Sequence, residues 1–355
     1  MDVLFIAPYG GLGGSENVLI NVLERLDRDR FRPKVLLLEE GPLKDRVLEL
    51  GIPALVQHLP GKEGLLRFVQ SAHRIPGPVD VIHANGGKAA IYGLPLARRL
   101  KAPLIWMKHD HSYDGRPSHA LASRCDHIVC VSHAMARQFE DLGDTVSVVY
   151  PGVVLRDLKP VETTTPRIVS VGRLDPFKGF DQLLRAAARL RDEGVELSIR
   201  VAGPQDRVHT ETQGELKQLA DELGIGAENV GWVDDLDALY ESARVVALAS
   251  KPKDGQAPGE GAPLVLMEAM GAARPVVGTD QPGIAEVIDD CGSLVAPPDA
   301  EQLANALRPY LEDPQLAART GAKGRARVEA RMTLDRTVAD LSDLYTRLAD
   351  KRAIR

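Results

Sequence analysis

Short apolar runs and longer amphipathic stretches alternate from the first residues onward. VLFIA from Val3, KVLLLE from Lys34, VDVIH from Val79, PLIWMK from Pro103 and HIVCV from His127 read as strands. They are near-continuously apolar, so both faces of each strand are expected to be buried. The helical stretches between them then make the strands parallel, in a doubly wound sheet. After VSVVYPGV the rhythm is broken by LRDLKPVETTTP, a charged, proline- and threonine-rich connector within residues 152–166. Alternation restarts with RIVSVG from Arg167, LSIRVAG from Leu197, RVVALAS from Arg244 and PVVGT from Pro275. The expectation is an α/β protein with two Rossmann-like domains, residues 1–155 and 156–332. Leu334, Val338, Leu341, Leu344, Tyr345 and Leu348 fall on one face of a final helix. Residues 333–355 are expected to pack back on the first domain.

Composition agrees with a folded chain and narrows its partners. A length of 355 residues suits two domains, and 44% hydrophobic with 26% charged residues is ordinary for globular proteins. Aromatics are only 4%, with no basic groove evident beside them, so nucleic acid is not an expected partner. The net charge of −6 is uneven: residues 1–150 hold 18 Lys and Arg against 17 Asp and Glu, and the remainder 26 against 33. This gives a slight preference for an anionic acceptor or membrane surface near the first half. Cys125, Cys130 and Cys291 form no C-x-x-C pair or disulfide framework, which fits a reducing cytoplasm. The opening MDVLFIAPYGG reads as a first strand, not a signal peptide, and no apolar run reaches the roughly 20 residues of a spanning helix. GKEGLLRFVQSAHR, residues 61–74, reads as an ordinary amphipathic surface helix with interfacial attachment as its alternative. The expected location is cytoplasmic, with peripheral placement at the inner face of a membrane left open.

In open α/β sheets ligands gather outside the carboxyl ends of strands, so the loops there are where chemistry is sought. In EGAPLVLMEAMG, Glu260 and Glu268 are separated by seven residues, and Pro263 suits the first turn of a helix. Glu260 then stands before the helix and Glu268 roughly 8 Å along it from Pro263. One element can thus hold a sugar through one carboxylate and a ribose diol through the other, with the amides of Gly261, Ala262, Leu264 and Val265 beside polar ligand atoms. A capped helix with a solvated glutamate fits the same spacing. In VGRLDPFKGF, Arg173 and Lys178 lie on a strand-to-helix loop, where two cations neutralise a diphosphate or merely sit exposed. Gly10, Gly11, Gly13 and Gly14 follow the first strand. They permit close backbone approach to a ligand, but no G-x-G-x-x-G with an acidic ribose partner is formed, which weakens a dehydrogenase reading. His109 ends the PLIWMK strand and His111 follows two residues later. Without a third and fourth ligand a metal site is not expected, and both remain candidates for a structural or site role.

Taken in order, GGLGGSE, HANGG, CVSHAM, VGRLDPFKGFDQLL, EGAPLVLMEAMG, RPVVGTDQPGIAEVI and CGSLVAPPD resemble the family 4 retaining glycosyltransferases over nearly the entire chain. The resemblance implies the GT-B fold, two Rossmann-like domains facing across a cleft, with acceptor binding in residues 1–155 and donor binding in 156–332. It implies a nucleotide diphosphate-sugar donor, with UDP or GDP first, and an acceptor that is a carbohydrate, lipid-linked or small molecule. No metal or other cofactor is implied. Arg173 and Lys178 match the family's diphosphate contacts, and Glu260 and Glu268 match its Glu-x7-Glu motif. The implied donor contacts are Gly13, Gly14, Arg173, Lys178, Gly261, Ala262, Pro263, Leu264, Val265 and Glu268. The implied catalytic set is His109, Arg173, Lys178 and Glu260. His109 is the match for the histidine that touches the donor sugar, with His111 as its alternative. Retention of configuration by same-face attack is implied. The alternatives are a sugar-nucleotide epimerase or hydrolase of the same fold, and a non-catalytic nucleotide-sugar-binding protein.

Overall fold

The computed structural model describes residues 1–57, 70, 74–75, 77–205, 208–251, 259–296 and 299–353. Apart from Gln70 and Arg74, the amphipathic segment 61–74 lies outside the described residues. The chain divides into two compact units, Met1–Gly152 with Leu334–Arg355, and Val153–Thr333.

The first unit holds β1 (Asp2–Ala7), β2 (Arg32–Leu37), β3 (Ala54–Val56), β4 (Val81–Asn85), β5 (Leu104–Lys108), β6 (His127–Cys130) and β7 (Val146–Val148). They form one sheet in the order β3-β2-β1-β4-β5-β6-β7, with every described pairing parallel. The order reverses between β1 and β4. β1 is buried along its whole length, as the uninterrupted VLFIA run requires of a central strand covered on both faces. The closing helix Leu334–Ala353 belongs to this unit. Its Tyr345 hydroxyl meets His83 Nδ1 on β4 at 2.8 Å, and the tyrosine ring packs edge-on against Phe5 and Phe31.

The second unit holds β8 (Arg167–Val171), β9 (Ser198–Ala202), β10 (Val230–Gly231), β11 (Val245–Leu248), β12 (Val276–Thr279) and β13 (Ser293–Val295). Their order is β10-β9-β8-β11-β12-β13, again parallel throughout the described pairings. Here the order reverses between β8 and β11. Helices Phe180–Asp192 and Ala300–Glu312 bury Leu183, Leu184, Leu190, Leu303 and Leu307 in the core of this unit. Among the described residues, no helix is long and apolar enough to cross a membrane.

Candidate active site

The loops that leave β8 and β11 flank the reversal point of the second sheet, which is where an open parallel sheet opens a crevice. After β8, Arg173 is exposed, and its guanidinium reaches Asp175 at 3.1 Å. Asp175 is buried and caps the short 3-10 turn Pro176–Lys178 by accepting from the Phe177 amide at 2.7 Å. Gly179 follows with φ +66°, and a Cβ there would stand 1.9 Å from the Ala249 carbonyl oxygen. Glycine is required by both the conformation and the space. The two loops are also tied by the Lys251 amide, which donates to the Phe177 carbonyl at 2.6 Å, and by the Lys251 ammonium on Asp181 at 2.6 and 2.8 Å.

Lys178 is thereby aimed at Glu260, with which it forms an ion pair. The same carboxylate oxygen accepts from the Ser250 hydroxyl at 2.7 Å, just past β11. Burial favours the neutral acid, but Lys178, the Ser250 hydroxyl and more distant Arg173 outweigh it. Glu260 is accordingly held below the usual carboxylate range.

Helix Leu264–Gly271 turns Leu266, Met267 and Met270 into the core and leaves Leu264, Val265 and Glu268 half-buried. Pro263 stands at the cap and not inside the first turn as the sequence suggests. Lacking an amide hydrogen, it leaves the donors of the helix start to its neighbours. Glu268 Oε2 accepts from the Tyr240 hydroxyl at 2.8 Å. Burial raises the Glu268 carboxyl above its ordinary value, against the pull of Tyr240 and Arg156. Arg156 lies 5.5 Å from the Tyr240 ring centroid and pairs with Asp237.

The other expected site residues belong to the first unit. The glycine run leaves β1, and the helix that follows begins at Gly14, with half-buried Gly13 at the cap and Gly14 exposed. Asn85, at the end of β4, crosses the reversal point: its amide nitrogen donates to the Ser15 carbonyl at 3.1 Å, and its oxygen meets His109 Nε2 at 2.6 Å. Once the amide is oriented by Ser15, His109 must donate from Nε2. Burial holds His109 down to about 4, against the opposite effect of Asp110, so the imidazole is neutral near pH 7. The Nδ1 of His111 lies 2.7 Å from Asp114, which also takes the buried Lys108 ammonium at 2.7 Å. Among the described residues, no group of three His, Cys, Asp or Glu side chains is arranged to hold a metal ion.

The structure thus joins Lys178 with Glu260, and places Arg173 and Glu268 in the same unit. His109, Gly13 and Gly14 share the first unit, where Asn85 bonds His109 and the helix that follows the glycines. Ser250, Tyr240 and Asn85, which bond Glu260, Glu268 and His109, are not among the residues to which the sequence points. The signal for Ser250 and Asn85 was their place, a polar residue ending an apolar run.

The model of glycosyl transferases group 1 matches residues 156–327, and that of glycosyltransferase family 4 matches residues 12–157. The chain belongs to the family 4 glycosyltransferases. This glycosyltransferase is 26% identical over 395 residues to the D-inositol 3-phosphate glycosyltransferase of Streptomyces scabiei, covering 95% of this chain and 87% of that one. It is 23% identical over 341 residues to an uncharacterized glycosyltransferase of Haemophilus influenzae, covering 90% and 93%. Among solved structures, Anabaena HepE in complex with UDP and glucose superposes with a TM-score of 0.82 at 24% identity, over 98% of this glycosyltransferase and 100% of HepE. Sucrose-phosphate synthase from Thermosynechococcus elongatus gives 0.79 at 19% identity, over 98% and 99%. These likenesses show that the fold is GT-B.

Proposed function

We propose that the enzyme transfers a sugar from a nucleotide diphosphate-sugar to an acceptor hydroxyl with retention of configuration, and that the nucleotide is UDP. The observation that carries this reading is the cluster of Lys178, Glu260 and Ser250, with Arg173 on the same loop as Lys178, at the reversal point of the second sheet. A diphosphate set there meets two cations, and its sugar meets an ionised carboxylate. UDP is favoured over GDP because HepE, of the same fold, binds UDP and UDP-glucose.

In the reaction the bond between the anomeric carbon and the diphosphate oxygen breaks. A bond from the acceptor oxygen to the same face of that carbon forms, and the acceptor proton passes to the departing phosphate. Arg173 and Lys178 stabilise the charge that collects on the diphosphate, whereas Glu260 and the amides of Gly261, Ala262, Leu264 and Val265 orient the sugar. Glu268 accepts from the ribose hydroxyls, and no metal or other cofactor takes part. The assignment of His109 to the donor sugar rests on the family resemblance alone. The N-terminal unit is assigned the acceptor, and the protein is placed in the cytoplasm.

The test is a thermal-shift panel of UDP, GDP, ADP and dTDP, followed by turnover of UDP-sugars with and without saccharide acceptors and by NMR of the product's anomeric centre. UDP alone is expected to raise the melting temperature, and the product to keep the donor's configuration. Nucleotide release with no acceptor product would favour a hydrolase, and an inverted product would remove the retaining mechanism.

A further inference from the structure

The donor chemistry proposed above uses Glu268 and leaves its neighbour Tyr240 without a task. Tyr240 is fully buried on helix Leu236–Ser242, whose start is capped by Asp235, which accepts from the Ala238 amide at 2.9 Å. The tyrosine is held at three points. Its backbone carbonyl accepts from buried Arg274 Nε at 2.8 Å, and the same guanidinium donates to the Lys159 carbonyl at 2.7 Å. Its ring centroid lies 5.5 Å from the Arg156 guanidinium, which is paired with Asp237 on the same helix. Its hydroxyl donates to Glu268 Oε2 at 2.8 Å, well inside the 3.5 Å that separates it from the Val265 carbonyl. A phenol has a single proton to give, so the carboxylate takes it.

Glu268 is engaged on one side only. Among the described residues, Oε2 accepts from Tyr240 and Oε1 has no hydrogen-bond partner, yet Oε1 is not one of the fully buried atoms left without one. Solvent therefore reaches Oε1, and so can a ligand. A glutamate with no such contact spreads its carboxylate over several rotamers. Here a side chain that cannot move holds Oε2, and with it the place where Oε1 stands.

We propose that Tyr240 is the positioning residue of the ribose-binding carboxylate, and that by fixing Glu268 it makes the site select a nucleotide with both ribose hydroxyls over its deoxy counterparts. The inference rests on the assignment of Glu268 to the ribose. A carboxylate fixed beside the sugar accepts from hydroxyls, and is left short of a partner when a deoxy ligand binds. A loosened carboxylate meets either ligand through water and discriminates less. The phenol bond also favours the ionised form of Glu268, against burial; Arg156 acts in the same direction and Asp237 in the opposite one. Arg325, on the neighbouring helix Pro314–Arg331, is engaged with the Gly271 carbonyl, Asp157 and Glu329.

The test compares the full-length protein and its variants by calorimetry with UDP, 2′-deoxy-UDP and 3′-deoxy-UDP. The Glu268 carboxyl is followed in the nucleotide-free protein by carbon NMR of glutamate-labelled samples, its signal assigned by its loss in Glu268→Gln. UDP is expected to bind about tenfold more tightly than the weaker deoxy ligand. Tyr240→Phe keeps the ring beside Arg156 and loses the donor. It should lower UDP affinity by about tenfold and the deoxy affinities by less than about threefold, and move the Glu268 titration to higher pH. Replacing Tyr240 by 3-fluorotyrosine, a stronger donor of nearly the same shape, should move that titration to lower pH, which reads the bond even where Tyr240→Phe does not fold. A tyrosine that serves packing alone would weaken all three ligands by a common factor. That result, an unmoved Glu268 titration, or equal binding of UDP and both deoxy ligands by the wild type overturns the inference. Equal binding removes only the ribose selection and leaves the donor reading standing, whereas binding of none of the three removes both.

Discussion

Lys178 and Glu260 neutralise each other across two loops, so removing either changes the charge seen by a ligand. If the diphosphate gathers negative charge as the sugar departs, Lys178→Ala and Arg173→Ala each lower kcat by on the order of 100-fold. Steady-state kinetics at saturating donor check this, and an unchanged kcat in either variant would release that cation from the leaving-group role. Glu268 gives a pH signature. Its carboxyl is raised by burial, so on acidification UDP affinity should start to fall while the pH is still above the ordinary 4.5. Glu268→Gln should bind UDP more weakly and lose that acid limb in calorimetry. Asn85 makes a third claim: long-range proton–nitrogen NMR should find the His109 proton on Nε2, and Asn85→Ala should populate the other tautomer. Arg173, Lys178, Glu260 and Glu268 were legible because charged side chains on strand-end loops and a helix start announce themselves. Tyr240 was not, because its bond to Glu268 joins two helices that only the fold brings together, and Ser250 and Asn85 were marked by nothing beyond their place at the end of an apolar run. Pro263 misled by one position, since its fixed φ fits the cap as well as the first turn.

At the scale of elements, the turn from β8 into helix Phe180–Asp192 is limited by one residue. Gly179→Ala forces a methyl against the Ala249 carbonyl in a left-handed conformation, whereas Gly194→Ala, at φ +87°, meets nothing within 4 Å. Both pay the conformational strain, of order 1–3 kcal/mol, but only Gly179→Ala also displaces the loop that carries Lys178. Thermal melting should show both variants destabilised, Gly179→Ala more so, and UDP calorimetry should show lost affinity for Gly179→Ala alone. The interior strands were readable from their apolar runs because burial on both faces leaves that mark. The four strands the pattern did not announce, β3, β7, β10 and β13, are the four sheet edges. Each is two or three residues long, paired on one side only, and too short for periodicity to register.

For the whole molecule, three histidines in or next to the first sheet, His83 and His127 buried and His109 half-buried, set the response to acid. Burial holds His83 at about 3 and His109 and His127 at about 4, whereas each binds a proton near 6.5 when unfolded. Between pH 6.5 and 4 the unfolded first unit therefore carries more protons, and its stability falls as pH falls, by up to about 1.4 kcal/mol per pH unit for each histidine. Calorimetry from pH 7 to pH 5 should show one melting transition moving down faster than the other, and His127→Gln should reduce that dependence. The grouping of helix Leu334–Ala353 with the first unit has a further result for biosynthesis. Domains ordinarily finish in the order in which the ribosome releases them. Here Phe5, Phe31 and His83 have emerged long before Tyr345 arrives to cover them, an interval of roughly 13 to 70 s at the usual rate of elongation. The second unit is the one that can be completed first, and the nascent first sheet carries an uncovered aromatic face that a chaperone can occupy until the last helix is made.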